Sequence, residues 1–176
     1  MSRTTATVRP ARLAAFAVTV SSALVLAGPG VASAASPTGE LASRGCVVFE
    51  NLTDTVVALE MHDQGSPAIE VGDGATVHDV LTDAEGRSVG SLTGEMSIVF
   101  ARQSDQHFIG YYREEIQLPG GSVRTAGLVD IAGSTAGVPQ TVAAFGTSGR
   151  YRGKLGTRTY QLVAPNVYLT NIKVCG

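Results

Sequence analysis

Tyr112 and Glu114 stand two residues apart in a stretch of alternating apolar and polar residues, and Arg158 and Tyr160 repeat that spacing nearer the C-terminus. Side chains two apart in an extended strand project from the same face. Each pair would therefore send a phenol and an ionisable group to one side. If that side is an interior, the Glu114 carboxylate and the Arg158 guanidinium must pair with each other or with a ligand, because an unpaired buried charge is strongly unfavourable. Three readings stand on these residues alone. Glu114 and Arg158 orient or polarise a bound substrate while Tyr112 and Tyr160 donate hydrogen bonds; or they form a structural ion pair; or they face solvent.

Other chemistry is thinly represented. His62, His78 and His107 fall on separate strands or strand ends, which predicts edge or surface histidines and no metal site. Glu114 and Glu115 are adjacent, so they point to opposite faces and do not form a paired-carboxylate hydrolase site. The chain has no Gly-x-Ser-x-Gly elbow and no glycine-rich phosphate loop. Arg150, Arg152 and Lys154 read as a solvated turn rather than an anion site. A net charge of −2 over 176 residues makes nucleic acid and anionic lipid poor partners.

The elements that would carry these residues are strands. Alternation with a period of two dominates, and helical periodicity is scarce. Residues 46–50 and 55–62 read as a first, interrupted strand, followed by strands at 75–82, 89–102, 107–118, 122–132, 140–146, 156–163 and 167–175. Within 89–102, Leu92, Gly94, Met96, Ile98 and Phe100 share a face. Turn residues separate the runs, as at Asp83-Ala84-Glu85-Gly86 and Pro119-Gly120-Gly121, and Gly133 to Pro139 reads as a loop. About eight strands joined by hairpin-length connections predict an all-β, antiparallel, up-and-down barrel, whose closure removes the exposed edges.

The N-terminus has the order of an export signal. Arg3, Arg9 and Arg12 precede an apolar run from Leu13 to Ala27, and Ala32-Ser33-Ala34 supplies a small-residue cleavage site. The run is about 15 residues, short of the roughly 20 that span a bilayer. The expected organisation is a signal peptide over 1–34, a flexible lead-in over 35–45 and one barrel domain over 46–176, acting outside the cell and free of the membrane after cleavage. Cleavage leaves roughly 140 residues, enough for one core. In an exported chain Cys46 and Cys175 read as a disulfide. It would close a loop of about 130 residues and contribute about 4–5 kcal/mol as an upper figure. A closed barrel brings its first and last strands side by side, which suits such a bridge.

Two segments carry a family resemblance. "GTSGRYRGKLGTRTYQL" (146–162) resembles the signature of the allene oxide cyclase and dirigent barrel superfamily. "GYYREEIQLPGGSVRTAGLVDI" (110–131) is similar to the bacterial spirotetronate cyclases, which close a ring by a Diels–Alder-type cycloaddition. The likeness runs from about Gly74 to Leu162. It implies an eight-stranded barrel with an open mouth, an apolar lumen and no metal or organic cofactor. Such a barrel acts by holding a reactive substrate in one folded shape. The resemblance places the pocket tyrosine at Tyr112, the bulky aromatic wall at Val77, Ile131 and Tyr160, and a pocket methionine at Leu162. Only the tyrosine keeps its identity, so a wider or differently shaped cavity is expected. The cyclases imply a homodimer, the plant members a homotrimer. Secreted plant dirigent proteins carry a disulfide like the one expected here.

Three functions follow as expectations. The first is a cofactor-free cyclase or isomerase for an apolar, polyketide-like or lipid-like intermediate. Tyr112 would donate a hydrogen bond, Glu114 and Arg158 would assist electrostatically, and Val77, Met96, Ile98, Ile131, Tyr160 and Leu162 would form the wall. The second is a dirigent-like module that binds or steers a ligand without catalysis. The third is a structural barrel packed shut by its own side chains.

Overall fold

The computed structural model describes residues 45–63, 65 and 68–176. The segment read as an export signal, and the lead-in up to residue 44, lie outside the described residues. Eight strands follow in order: β1 (Cys46–His62), β2 (Gly74–Thr82), β3 (Ser88–Ala101), β4 (Phe108–Leu118), β5 (Gly121–Asp130), β6 (Gln140–Gly146), β7 (Leu155–Ala164) and β8 (Val167–Cys175). Each pairs antiparallel with the next, and β8 pairs with β1 to close an up-and-down barrel, as the alternation predicts. Among the described residues no helix is long and apolar enough to cross a membrane.

β1 is continuous, where the sequence suggested an interruption at 51–54. Asn51 bends the strand with φ 54°, and its N–H donates to the Asn171 side-chain oxygen at 2.8 Å. Asn adopts this left-handed backbone readily, so a turn-like residue sits inside a strand as a bulge. A second irregularity between Val56 and Ala58 inverts the alternation. Leu52, Asp54 and Val56 face inward before it, Leu59 and Met61 after it. A third, between Ile98 and Phe100, removes Phe100 from the face of Leu92, Met96 and Ile98, and leaves it 44% exposed.

The structure also corrects the end of β5. Residues 131–132 do not extend the strand, and 133–139 is not wholly loop. Ile131–Thr135 forms a short helix, α1, with Asp130 as its N-cap accepting from the Gly133 N–H at 2.9 Å. An aspartate before a short run of small residues meets the requirement of a cap, which outweighs the strand periodicity.

One end of the barrel is packed shut. Leu81, Leu92, Ile116, Val123, Ile172 and Val174 fill it from five strands, over Tyr151 from a 3₁₀ turn at Gly149–Tyr151. The Tyr151 hydroxyl donates to the Pro119 carbonyl at 2.5 Å, tying that turn to the β4–β5 connection. Gly146 allows the approach, since a Cβ there would lie 1.6 Å from the Tyr151 carbonyl oxygen. Cys46 and Cys175 are register partners across the β1–β8 seam and form a disulfide.

Candidate functional site

Above the packed end the inward residues leave a cavity of about 260 Å³. Its wall is apolar, with Val56, Ala75, Val77, Met96 and Ile98 beside the rings of Tyr112, Tyr160 and Tyr168. Leu59, Met61 and Ile69 line its exposed rim, and α1 contributes Ile131, Ser134 and Thr135. Inward glycines help to hollow the space. A Cβ on Gly110 would lie 2.8 Å from Ile131 Cδ1, 3.2 Å from Tyr112 Cε2 and 3.3 Å from Met96 Cγ. Gly110→Val should therefore fill part of the chamber by displacing side-chain ends rather than backbone. Binding of a fluorescent apolar probe should weaken at least about tenfold, with far-UV circular dichroism unchanged. Unaltered probe affinity would place the ligand elsewhere.

The floor is ionic. Arg158 is 2% exposed, and each of its guanidinium nitrogens donates a hydrogen bond. Its Nη2 donates to Asp54 at 2.5 Å, its Nη1 to Glu114 at 2.5 Å and its Nε to the Thr170 hydroxyl at 3.0 Å. The guanidinium also lies 4.5 Å from the centroid of the Tyr160 ring. Thr125, the cross-strand partner of Glu114, donates its hydroxyl to the same Glu114 oxygen that Arg158 holds. Asp79 adds a third carboxyl, hydrogen-bonded to Asp54. Burial, followed by the negative charge of Asp54, pushes Asp79 up to about 8, so at neutral pH it carries a proton. Burial also raises Asp54, against the pull of Arg158. The phenols of Tyr112, Tyr160 and Tyr168 are raised, chiefly by burial, and stay protonated. Asp54 Oδ1, Asp79 Oδ1 and the Tyr160 hydroxyl are buried with no donor or acceptor opposite them, apart from the proton that the two aspartates can share.

The structure brings Tyr112, Glu114 and Arg158 to one chamber, together with Val77, Met96, Ile98, Ile131 and Tyr160. Leu162 does not line it; at that level Tyr168, its register partner on β8, contributes to the wall instead. Glu114 and Arg158 face inward and pair with each other, which removes the solvent-facing reading. Among the floor and wall residues that the sequence reading did not place are Asp54, Asp79 and Tyr168. For Asp79 a signal was present, since it lies two residues beyond inward-facing Val77 and the same parity links them.

Fold and cavity together define a closed antiparallel barrel built around an apolar chamber with a charged floor. The chain belongs to the family of allene oxide cyclase barrel like domains, whose model matches residues 53–174. Among solved structures it is similar to a nonspecific heme-binding cyclase that catalyses a (4 + 2) cycloaddition in neoabyssomicin biosynthesis, at 34% identity and a TM-score of 0.69, covering 76% of this chain and 65% of that one. It is also similar to the Diels-Alderase AbmU from Streptomyces koyangensis, at 32% identity and a TM-score of 0.68, covering 73% and 63%. AbnU, an exo-specific intermolecular Diels-Alderase, is 25% identical with a TM-score of 0.67, covering 74% of this chain and 97% of that one. The chain thus spans just under two thirds of the length of the first two relatives.

Proposed function

We propose that this barrel is a cofactor-free cyclase that folds an apolar, polyketide-like or lipid-like intermediate for ring closure. The observation that carries the reading is the enclosed apolar chamber with protonated phenols in its wall. Two relatives at more than 30% identity are cyclases of the cycloaddition type. In such a step two carbon–carbon bonds form at the expense of π bonds, with no net proton transfer and no redox change. The protein's task is then to hold diene and dienophile in one reactive conformer, exchanging conformational entropy lost on binding for a lower barrier. The Tyr112 hydroxyl would polarise a dienophile carbonyl as charge develops on it. Arg158 and Glu114 would act by fixing the floor against which the folded substrate rests. The N-terminal segment is read as an export signal, so this chemistry would take place outside the cell.

Tyr112→Phe tests the assignment. Turnover of a linear substrate carrying both diene and dienophile should fall about 10- to 100-fold, followed as cyclised product, while the melting temperature changes little. Unchanged turnover would remove Tyr112 from the mechanism. A second reading, a dirigent-like barrel that holds its ligand without accelerating a reaction, draws on the internal pairing of Glu114 with Arg158, which leaves neither free for chemistry. Tight binding with no rate enhancement by the wild-type protein would favour it.

A further inference from the structure

Charge does not balance on the chamber floor. Asp54, Asp79 and Glu114 are all at least nine-tenths buried, and they share one guanidinium. Among the described residues no second cation lines the chamber. Each guanidinium nitrogen of Arg158 already donates to one partner, Asp54, Glu114 or Thr170, so its charge is engaged on the floor. With a proton on Asp79 the floor still holds two carboxylates against one cation. Such an excess is costly in an apolar surround, and an opposite charge brought by a ligand would offset it.

Three further observations point the same way. The Tyr160 hydroxyl is buried on a residue that lines the chamber with no partner opposite it, and Asp79 Oδ1 has only the proton that Asp79 and Asp54 can share. The rings of Tyr160 and Tyr168 meet edge to face at 6.0 Å, and Tyr112 packs against the cluster of Val129, Val142 and Tyr160. Aromatic faces beside carboxylates suit an organic cation. Asp79 itself is faced by Asp54 from β1, Glu114 from β4, Arg158 from β7 and Tyr168 from β8, while its register partner on β3 is the apolar Leu92. Arg158 is the one cation in this group, and it is already paired.

We propose that the floor is a cation subsite, which takes the protonated amine of an otherwise apolar ligand against Asp79 and Asp54 while the wall holds the ligand's hydrocarbon. The inference goes beyond the cyclase reading. It shares with that reading only the premise that the chamber admits a ligand, and it needs no turnover.

The proton balance gives the subsite a signature. Below a pH of about 8 the free protein carries the Asp79 proton. An arriving ammonium favours the carboxylate, so the Asp79 O–H ionises and one proton leaves to solvent. An alkylammonium keeps its own proton there, with a pKa of about 10.4. Affinity should therefore rise with pH, by up to about tenfold per unit, and level off once Asp79 is ionised in the free protein.

The test is isothermal calorimetry with three probes of matched shape: phenylbutylammonium, phenylbutanol and phenylbutanoate. The expected order is ammonium over alcohol by about tenfold, with the carboxylate weakest. Repeating the ammonium titration in buffers of different ionisation enthalpy should report about one proton released at neutral pH and none well above a pH of 8. Asp79→Asn keeps an N–H to offer Asp54 but cannot ionise. It should abolish the proton release and the rise of affinity with pH, and weaken the preference for the ammonium, while phenylbutanol binds as before. If that variant fails to fold, the wild-type proton count decides alone. Equal affinity for ammonium and alcohol, preference for the carboxylate, binding without proton release, or no binding of any probe would each overturn the subsite. The cyclase reading would then still be judged separately, by the turnover of Tyr112→Phe.

Discussion

Replacing Arg158 with methionine should destabilise the barrel by about 3–5 kcal/mol, a large share of the roughly 5–15 kcal/mol that holds a domain of this kind together. Methionine matches much of the arginine stem in volume, so the loss is electrostatic rather than a cavity. It leaves Asp54, which is fully buried, and Glu114, which is 6% exposed, facing each other with no cation between them. The pH dependence identifies the cause. In the variant both carboxyls would bind protons more tightly folded than unfolded. Their cost is then least at acid pH, where they are protonated in both states, and grows as pH rises through the ordinary carboxylate range. Urea unfolding at about pH 5 and about pH 8 should show the variant falling further behind the wild type at the higher value. Arg158→Met combined with Asp54→Asn and Glu114→Gln should recover most of the loss, since a buried ion cluster removed as a unit costs far less than one broken in half. Arg158→Lys should recover little, because one ammonium cannot reproduce the fork that reaches Asp54, Glu114 and Thr170 together. A single Arg158→Met variant as stable as the wild type at both pH values would mean the floor is not held by this charge.

The period of two made the barrel legible, and departures from it mark what the sequence concealed. Where alternation runs unbroken, through Tyr112, Glu114 and Ile116 on β4 or Arg158 and Tyr160 on β7, parity placed the side chains on the inner face. β1 defeats that logic twice. Its bulge at Asn51 has turn chemistry, which disguised Asp54 as part of a break, and its irregularity after Val56 reverses the inward set. A one-residue slip exchanges the faces of a strand, and nothing local in the sequence announces one. Phe100 was misplaced by the same kind of event on β3. α1 was lost for a different reason: five residues are too few to display a helical period, and Asp130 was the only cue. The ionic floor itself is a long-range product. Arg158 meets Asp54 across a separation of 104 residues and Glu114 across 44, contacts that only barrel closure creates.

The disulfide should matter most to the speed at which the barrel closes. Pairing β1 with β8 is the least local event in this topology, with Cys46 and Cys175 separated by 129 positions. An intact bridge keeps those two strands neighbours even in the unfolded chain, so the loop-closure entropy of that pairing is largely removed before folding begins. Cys46→Ala with Cys175→Ala should cost about 3–4 kcal/mol. Most of that cost should lie in the refolding limb of a chevron plot, as slower folding, with a smaller rise in the unfolding rate. The native seam retains other ties that resist unfolding: the register from Val47↔Val174 to Thr55↔Val167, the Gly176 N–H to the Gly45 carbonyl at 3.2 Å, and Lys154 Nζ to the same carbonyl at 2.6 Å. Wild-type protein refolded under reducing conditions should behave like the double variant, which separates the loss of the bridge from any effect of the alanines. If the cost appeared instead as faster unfolding, the bridge would be acting on the native seam rather than on the unfolded chain. If stability did not change at all, the β1–β8 ladder would be sufficient to close the barrel by itself.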